Sequence, residues 1–198
     1  MKKVLVSVWV AALCFSVMGF VWLEKNAPTE EEKVTWYTFQ QAVELSKKKP
    51  KKIFIDIYTG WCGWCKVMDA NTFTHPIIAK DLNKYYYPVK MDAEMKDSIL
   101  FGGHLFVNPD PARRNSVHQL AAALLDNKMS YPTTVYLDEG FNMLSPVPGY
   151  MKPQDIEPIL VFYGENHHKT TKWEDFQKSF RGEVDVEVAP VTPPLKPH

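Results

Sequence analysis

Cys62 and Cys65 stand three positions apart in the stretch Trp61-Cys62-Gly63-Trp64-Cys65. A pair so spaced can hold a metal, anchor a haem, lock a structural disulfide or exchange electrons. A structural zinc site needs four ligands, usually from a second such pair or from two spaced histidines. The remaining cysteine is Cys14, and the adjacent pair His167-His168 lies far downstream without the required spacing. Covalent haem attachment needs a histidine directly after the second cysteine, and position 66 is lysine. A structural disulfide closing so short a loop would restrict the unfolded chain little. Thiol–disulfide exchange is the chemistry that remains.

The elements around the pair decide how it could react. Residues 53–58 form a short apolar, β-rich run that reads as a buried strand, and 65–73 reads as a helix. Cys62 then sits at the mouth of a strand-to-helix turn. Unpaired amides and the positive end of the helix dipole favour a thiolate there. Cys62 is therefore expected to be the more exposed, attacking sulfur. Cys65, one turn inside, would resolve the mixed disulfide by attacking Cys62. Gly63 lets the turn bend, while Trp61 and Trp64 offer apolar surface to a docked polypeptide.

Further along, helical spacing covers 36–48 and Pro50 stops it; Thr74 can cap a helix with Pro76 in its first turn. Residues 87–91 and 133–137 read as strands, and 142–147 returns from a turn at 138–140. Helices are expected over 118–126, 153–163 and 172–180, and a long irregular loop over 98–116. This order predicts an α/β domain, a mixed sheet covered by helices on both faces.

Composition narrows the partners. The formal net charge is +0. The basic cluster of Lys47, Lys48, Lys49, Lys51 and Lys52 has no interleaved aromatic residues and reads as the solvated end of a helix, not a nucleic-acid patch. Lys2 and Lys3 precede an apolar run over 4–23, about long enough to span a bilayer. Residues 1–25 thus read as a signal peptide or an N-terminal membrane anchor, with the rest exported to a periplasmic or other extracytoplasmic space. The domain is expected over 26–182, and the proline-rich 183–198 as a disordered tail.

The stretch 53–66 resembles the strand, active-site turn and helix of thioredoxin-fold proteins. Asp56 falls where that family has a buried carboxylate, and Lys90 resembles the lysine accompanying it. Tyr131-Pro132-Thr133-Thr134 is similar to the loop whose proline is cis and faces the disulfide, and Gly149 to the family's late glycine. Asn71-Thr72-Phe73 resembles the C-terminal domain of bacterial transmembrane thiol:disulfide interchange proteins. The sequence departs from the family pattern in having Gly-Trp between the cysteines and an insertion at about 96–128.

The resemblance implies a thioredoxin-like fold and a thiol:disulfide oxidoreductase, a reductase or isomerase of protein disulfides. Cys62, Cys65, Asp56 and Lys90 would be catalytic, and Trp61, Gly63, Trp64, Tyr131, Pro132 and Thr133 would bind substrate. A buried Asp56 could take the Cys65 proton. No metal or cofactor beyond the redox-active Cys62–Cys65 disulfide is implied. The expected partners of a monomer are disulfide-bearing client proteins and a membrane electron-donor protein, because the chain carries no NADPH or flavin fingerprint. The insertion is expected near the active site, with Gly102-Gly103 mobile until docking. The competing expectation is a binding module on the same scaffold, its disulfide incidental.

Overall fold

Residues 33–184 are described by the computed structural model. The sequence expectations for 1–25 and for most of the tail lie outside them. Among the described residues no helix is long and apolar enough to cross a membrane.

Helix α1 (Phe39–Lys48) is started by a capping box, in which Thr38 Oγ1 accepts the Gln41 amide while the Gln41 side chain accepts the Thr38 amide. Its inner face buries Phe39, Ala42 and Val43. Strand β1 (Lys52–Tyr58) follows and is buried through Ile57, as befits a central strand covered on both sides. Helix α2 (Gly63–Asn71) leads through a turn into α3 (Pro76–Tyr85), then β2 (Tyr86–Asp92). The cap of α3 is His75, not Thr74, whose hydroxyl instead donates back to the Ala70 carbonyl.

The expected loop over 98–116 contains a hairpin, β3 (Ile99–Phe101) and β4 (His104–Phe106). Gly102 and Gly103 form its two-residue turn with φ of 59° and 78°. Two successive positive φ values suit the type I′ hairpin turn that glycine adopts without penalty, so what reads as a flexible break is a turn signal. Helix α4 (Gln119–Leu124), strands β5 (Thr133–Leu137) and β6 (Met143–Pro148), and helices α5 (Pro153–Gly164) and α6 (Trp173–Ser179) complete the order. The start of the expected tail is also different: Val184 is buried, and the Glu183 and Val184 amides donate to the Glu157 carboxylate.

The main sheet runs β2-β1-β5-β6. β1 pairs parallel with β2 and antiparallel with β5, and β5 pairs antiparallel with β6. Pro146 and Pro148 fall on edge strand β6, where missing amide donors are tolerated. Alternation along β1 divides the core. Ile53, Ile55 and Ile57 pack with α1, α4 and the hairpin, whereas Phe54 joins Met68, Ile78, Leu82, Ile156 and Leu160 of α2, α3 and α5. Asp56, two residues from Phe54, shares the α2 side.

The two ends of β1 carry different furniture. Beyond Tyr58 lies the cysteine turn. Near Lys52 lie the end of α1, where the Lys49 carbonyl accepts from Tyr87 Oη at 3.1 Å, and the β5–β6 turn, since Leu137 opposes Ile53. The hairpin turn belongs to this second end: Gly102 and Gly103 line a groove of about 660 Å³ with Lys47, Gly140 and Phe141. Of the insertion expected near the active site, the part at Gly102-Gly103 therefore lies at the opposite end of the sheet. The hairpin points away from the cysteines because Phe101 packs edge-on against Phe39 and Phe141.

Candidate active site

Cys62 is the N-cap residue of α2, and its Sγ accepts the Cys65 amide at 3.1 Å. Gly63 is the first helical residue. The sulfur thus occupies the place where a cap side chain satisfies one of the orphan amides of the first turn. That same arrangement favours negative charge on it. The two sulfurs are joined in a disulfide of 2.07 Å with Cα atoms 5.3 Å apart. Exposure does not distinguish the cysteines as expected, for Cys62 is 5% and Cys65 3% exposed. Their places on the helix do.

Under α2, β1 and β2 set a charged cluster. Asp56 is 1% exposed, and its Oδ2 accepts from Lys90 Nζ at 2.6 Å. Register places the two residues side by side on β1 and β2. Burial pushes the Asp56 carboxyl up and Lys90 pulls it back, leaving it raised to about 6. Its Oδ1 is buried without a protein hydrogen bond among the described residues, so this oxygen is free to take up a proton. Burial pulls the Lys90 ammonium down, but its attraction to Asp56 and Asp69 outweighs that and raises it.

Asp69 is the residue that sequence reasoning missed. Its carboxylate takes a second bond from Lys90 Nζ, so the lysine is held between β1 and α2. The signal was available: Asp69 lies four residues after Cys65, on the same face of the helix. The ammonium also sits 5.0–5.3 Å from the ring centroids of Tyr58, Trp36 and Phe73, within cation–π range.

Aromatic side chains rim the turn. Trp61 is 55% exposed and Trp64 43%. Trp61 packs edge-on against Tyr131 at 5.9 Å and donates its indole N–H to Glu94 at 2.9 Å. Trp64 packs against Tyr150 at 5.2 Å. Tyr131 reaches Met129 through its hydroxyl. Glu94, Tyr150 and Met129 carry no motif that would single them out in the sequence. The Tyr131–Pro132 bond is cis, and the Pro132 carbonyl accepts from the amide of Gly149 at 2.8 Å, whose φ is 101°. Thr133 is buried with its hydroxyl donated to the Ser130 carbonyl, so its side chain shapes the loop from inside.

The insertion reaches the site through Asn108 and His118. Asn108 turns its amide group toward the carbonyls of Glu94, Met95 and Ser116, and the His118 amide donates to Ala93. It therefore buttresses the segment whose Glu94 holds Trp61. Leu120, Ala121 and Leu124 of α4 belong to the core.

A parallel β1–β2 pair continued by antiparallel β5 and β6, a disulfide at the N-terminus of the helix after β1, and a cis-proline before β5 make one consistent pattern. The model of the family described as Thioredox_DsbH, a protein of unknown function, DUF255, matches residues 22–102. The chain is a thioredoxin-fold protein. An uncharacterized protein of Caenorhabditis elegans is 31% identical over 151 residues, covering 75% of this chain and 18% of its own. The thioredoxin-fold chain thus spans less than a fifth of the length of that curated relative. Among solved structures, a DsbH oxidoreductase aligns with a TM-score of 0.48 at 17% identity, over 74% of this chain and 92% of its own. The oxidised C-terminal domain of Neisseria meningitidis DsbD gives 0.40 at 18%, over 67% and 99%. With its Cys62–Cys65 disulfide, this thioredoxin-fold protein has a site of the thiol–disulfide oxidoreductase type.

Proposed function

We propose that the protein is an extracytoplasmic oxidoreductase of protein disulfides, working as a reductase or isomerase. The observation that carries the reading is the Cys62 sulfur capping α2, its Sγ on the Cys65 amide, above a buried carboxyl raised to about 6. In the reduced protein the Cys62 thiolate attacks a client disulfide. A Cys62–client bond forms and the client's other sulfur leaves as a thiolate, which takes a proton from solvent. Asp56 takes the Cys65 proton at Oδ1, and the Cys65 thiolate attacks Cys62. The Cys62–Cys65 bond forms, the second client thiolate leaves, and two electrons have passed to the client. Lys90 keeps Asp56 from rising further, and so keeps it able to ionise between turnovers. Trp61, Trp64, Tyr131 and Pro132 supply the surface on which the client lies. Among the described residues no hydrogen bond engages the Tyr131 backbone, which leaves it for an extended client segment.

Each turnover leaves the disulfide, so another dithiol must re-reduce it; a membrane protein carrying reducing equivalents suits an exported chain. The apolar run over 4–23 behind Lys2 and Lys3 supports export. The test is insulin reduction with dithiothreitol as the supplied reductant. Acceleration above dithiothreitol alone, abolished in Cys62→Ser, is the expected result. No acceleration by the folded wild type would reject the reading and favour a binding module.

A further inference from the structure

The end of the domain opposite the disulfide carries three features that the exchange chemistry does not use. First, Leu100 and Leu105 are 68% and 55% exposed. They oppose each other across the β3–β4 hairpin, hence share one face, while Ile99, Phe101 and Phe106 of the same hairpin pack on the core. Second, Lys47, Lys48 and Lys49 are exposed at the end of α1, and Lys47 lines the same groove as Leu100, Gly102 and Gly103. Glu44 pairs with Lys47 and Glu139 with Lys52, whereas Lys48 and Lys49 form no ion pair among the described residues. Third, the chain enters the domain here. The Lys33 carbonyl and the Thr35 amide are both bonded to the Asn83 side chain, and the Asn83 carbonyl accepts from Lys51 Nζ at 2.8 Å.

We infer that this end is a docking face for an anionic lipid bilayer, with Leu100 and Leu105 entering the headgroup boundary and the lysines meeting lipid phosphates. Paired exposed leucines beside a basic cluster combine apolar insertion with charge complementarity, the two terms that hold peripheral surfaces on anionic membranes. The entry point adds the geometry. Residues 24–32 reach at most roughly 30 Å when extended, so an anchor over 4–23 would keep Lys33 close to the bilayer. β1 spans seven residues, roughly 20 Å at about 3.3 Å each. The docked domain would therefore present Trp61, Cys62 and Trp64 away from the membrane, toward soluble clients. The inference rests on the extracytoplasmic reading of the chain.

Hydrogen exchange on the full chain in nanodiscs, one set of phosphatidylcholine alone and one containing phosphatidylglycerol, tests it. Amides over 100–106 should exchange at least fivefold more slowly with phosphatidylglycerol, and the difference should vanish in the Leu100→Glu/Leu105→Glu variant, which should retain wild-type insulin reduction. Equal exchange in both lipids, protection around Trp61–Trp64 instead, or protection in lipid-free protein that rises with its concentration, which marks a second copy, would each overturn it. Retention of the chain by the discs through an alkaline wash reports separately on the anchor. A chain that washes off yet shows the lipid-dependent protection keeps the docking face and loses the tether.

Discussion

Replacing Asp56 with asparagine removes one charge from a site that is 1% exposed and changes its shape little. In the folded protein Asp56 keeps its proton up to about pH 6, against 3.8 for an ordinary aspartate. Between those values the native state binds more protons than the unfolded chain, so wild-type stability falls as pH rises through that window. At about 1.4 kcal/mol per pKa unit, ionising Asp56 costs the folded state roughly 3 kcal/mol above pH 6. Asp56→Asn escapes this cost, and Lys90 keeps Asp69 as a partner. The variant should match wild type below about pH 4 and exceed it by up to roughly 3 kcal/mol at pH 8. Asp81 is also raised to about 6, by burial and then by Glu157, but it is common to both proteins and cancels. Urea unfolding of the oxidised forms from pH 4 to pH 8 measures the difference. The same variant should slow insulin reduction at pH 7 at least about tenfold, since general-base assistance is worth about 10²–10⁴. A stability difference that does not change with pH, or a wild type more stable than the variant at pH 8, would refute the assignment of Asp56 as a buried proton acceptor.

Lys90→Met and Asp69→Asn should move the pH midpoint of the resolving step in opposite directions, upward without the cation and downward without the second anion; stopped-flow tryptophan fluorescence across pH reads both, and a shift of the same sign in both variants rejects the triad. Asn108→Ala removes the contacts to Glu94, Met95 and Ser116 and should cost about 1–3 kcal/mol in a urea titration, with Trp61 emission altered. A methyl group on Gly182 would overlap the Glu157 carboxylate. Gly182→Ala should therefore raise the exchange rates of the Glu183 and Val184 amides, and unchanged rates would mean that Glu157 does not hold this segment.

The core strands were legible because their residues must be buried on both faces: the apolar run at 53–58 can hardly be anything but β1. The cysteine turn was legible for a related reason, since a strand followed by Thr59-Gly60 and a helix starting at Gly63 leave Cys62 one place to go. What stayed hidden depends on contacts distant in sequence. Nothing local says that Glu94 holds the Trp61 indole, or that Asp69, though it lies on the Cys65 face of α2, shares the Lys90 ammonium with Asp56. Gly102-Gly103 is ambiguous in isolation, because two glycines can break a chain or turn it. Only the packing of Phe101 on Phe39 and Phe141 decides between them. Exposure does not separate Cys62 from Cys65, while Trp61 and Trp64 lean on Tyr131 and Tyr150 and remain exposed beside the turn.

Mixed-disulfide trapping by the single-cysteine variants tests the central claim, exchange through Cys62 with Cys65 as the resolving thiol, most directly. Reduced Cys65→Ala incubated with insulin should accumulate a covalent adduct on a non-reducing gel, released by dithiothreitol and mapped by mass spectrometry to Cys62. Cys62→Ala should accumulate none, because its remaining thiol lies inside the helix. Equal trapping by both variants, or an adduct mapped to Cys65, would contradict the account.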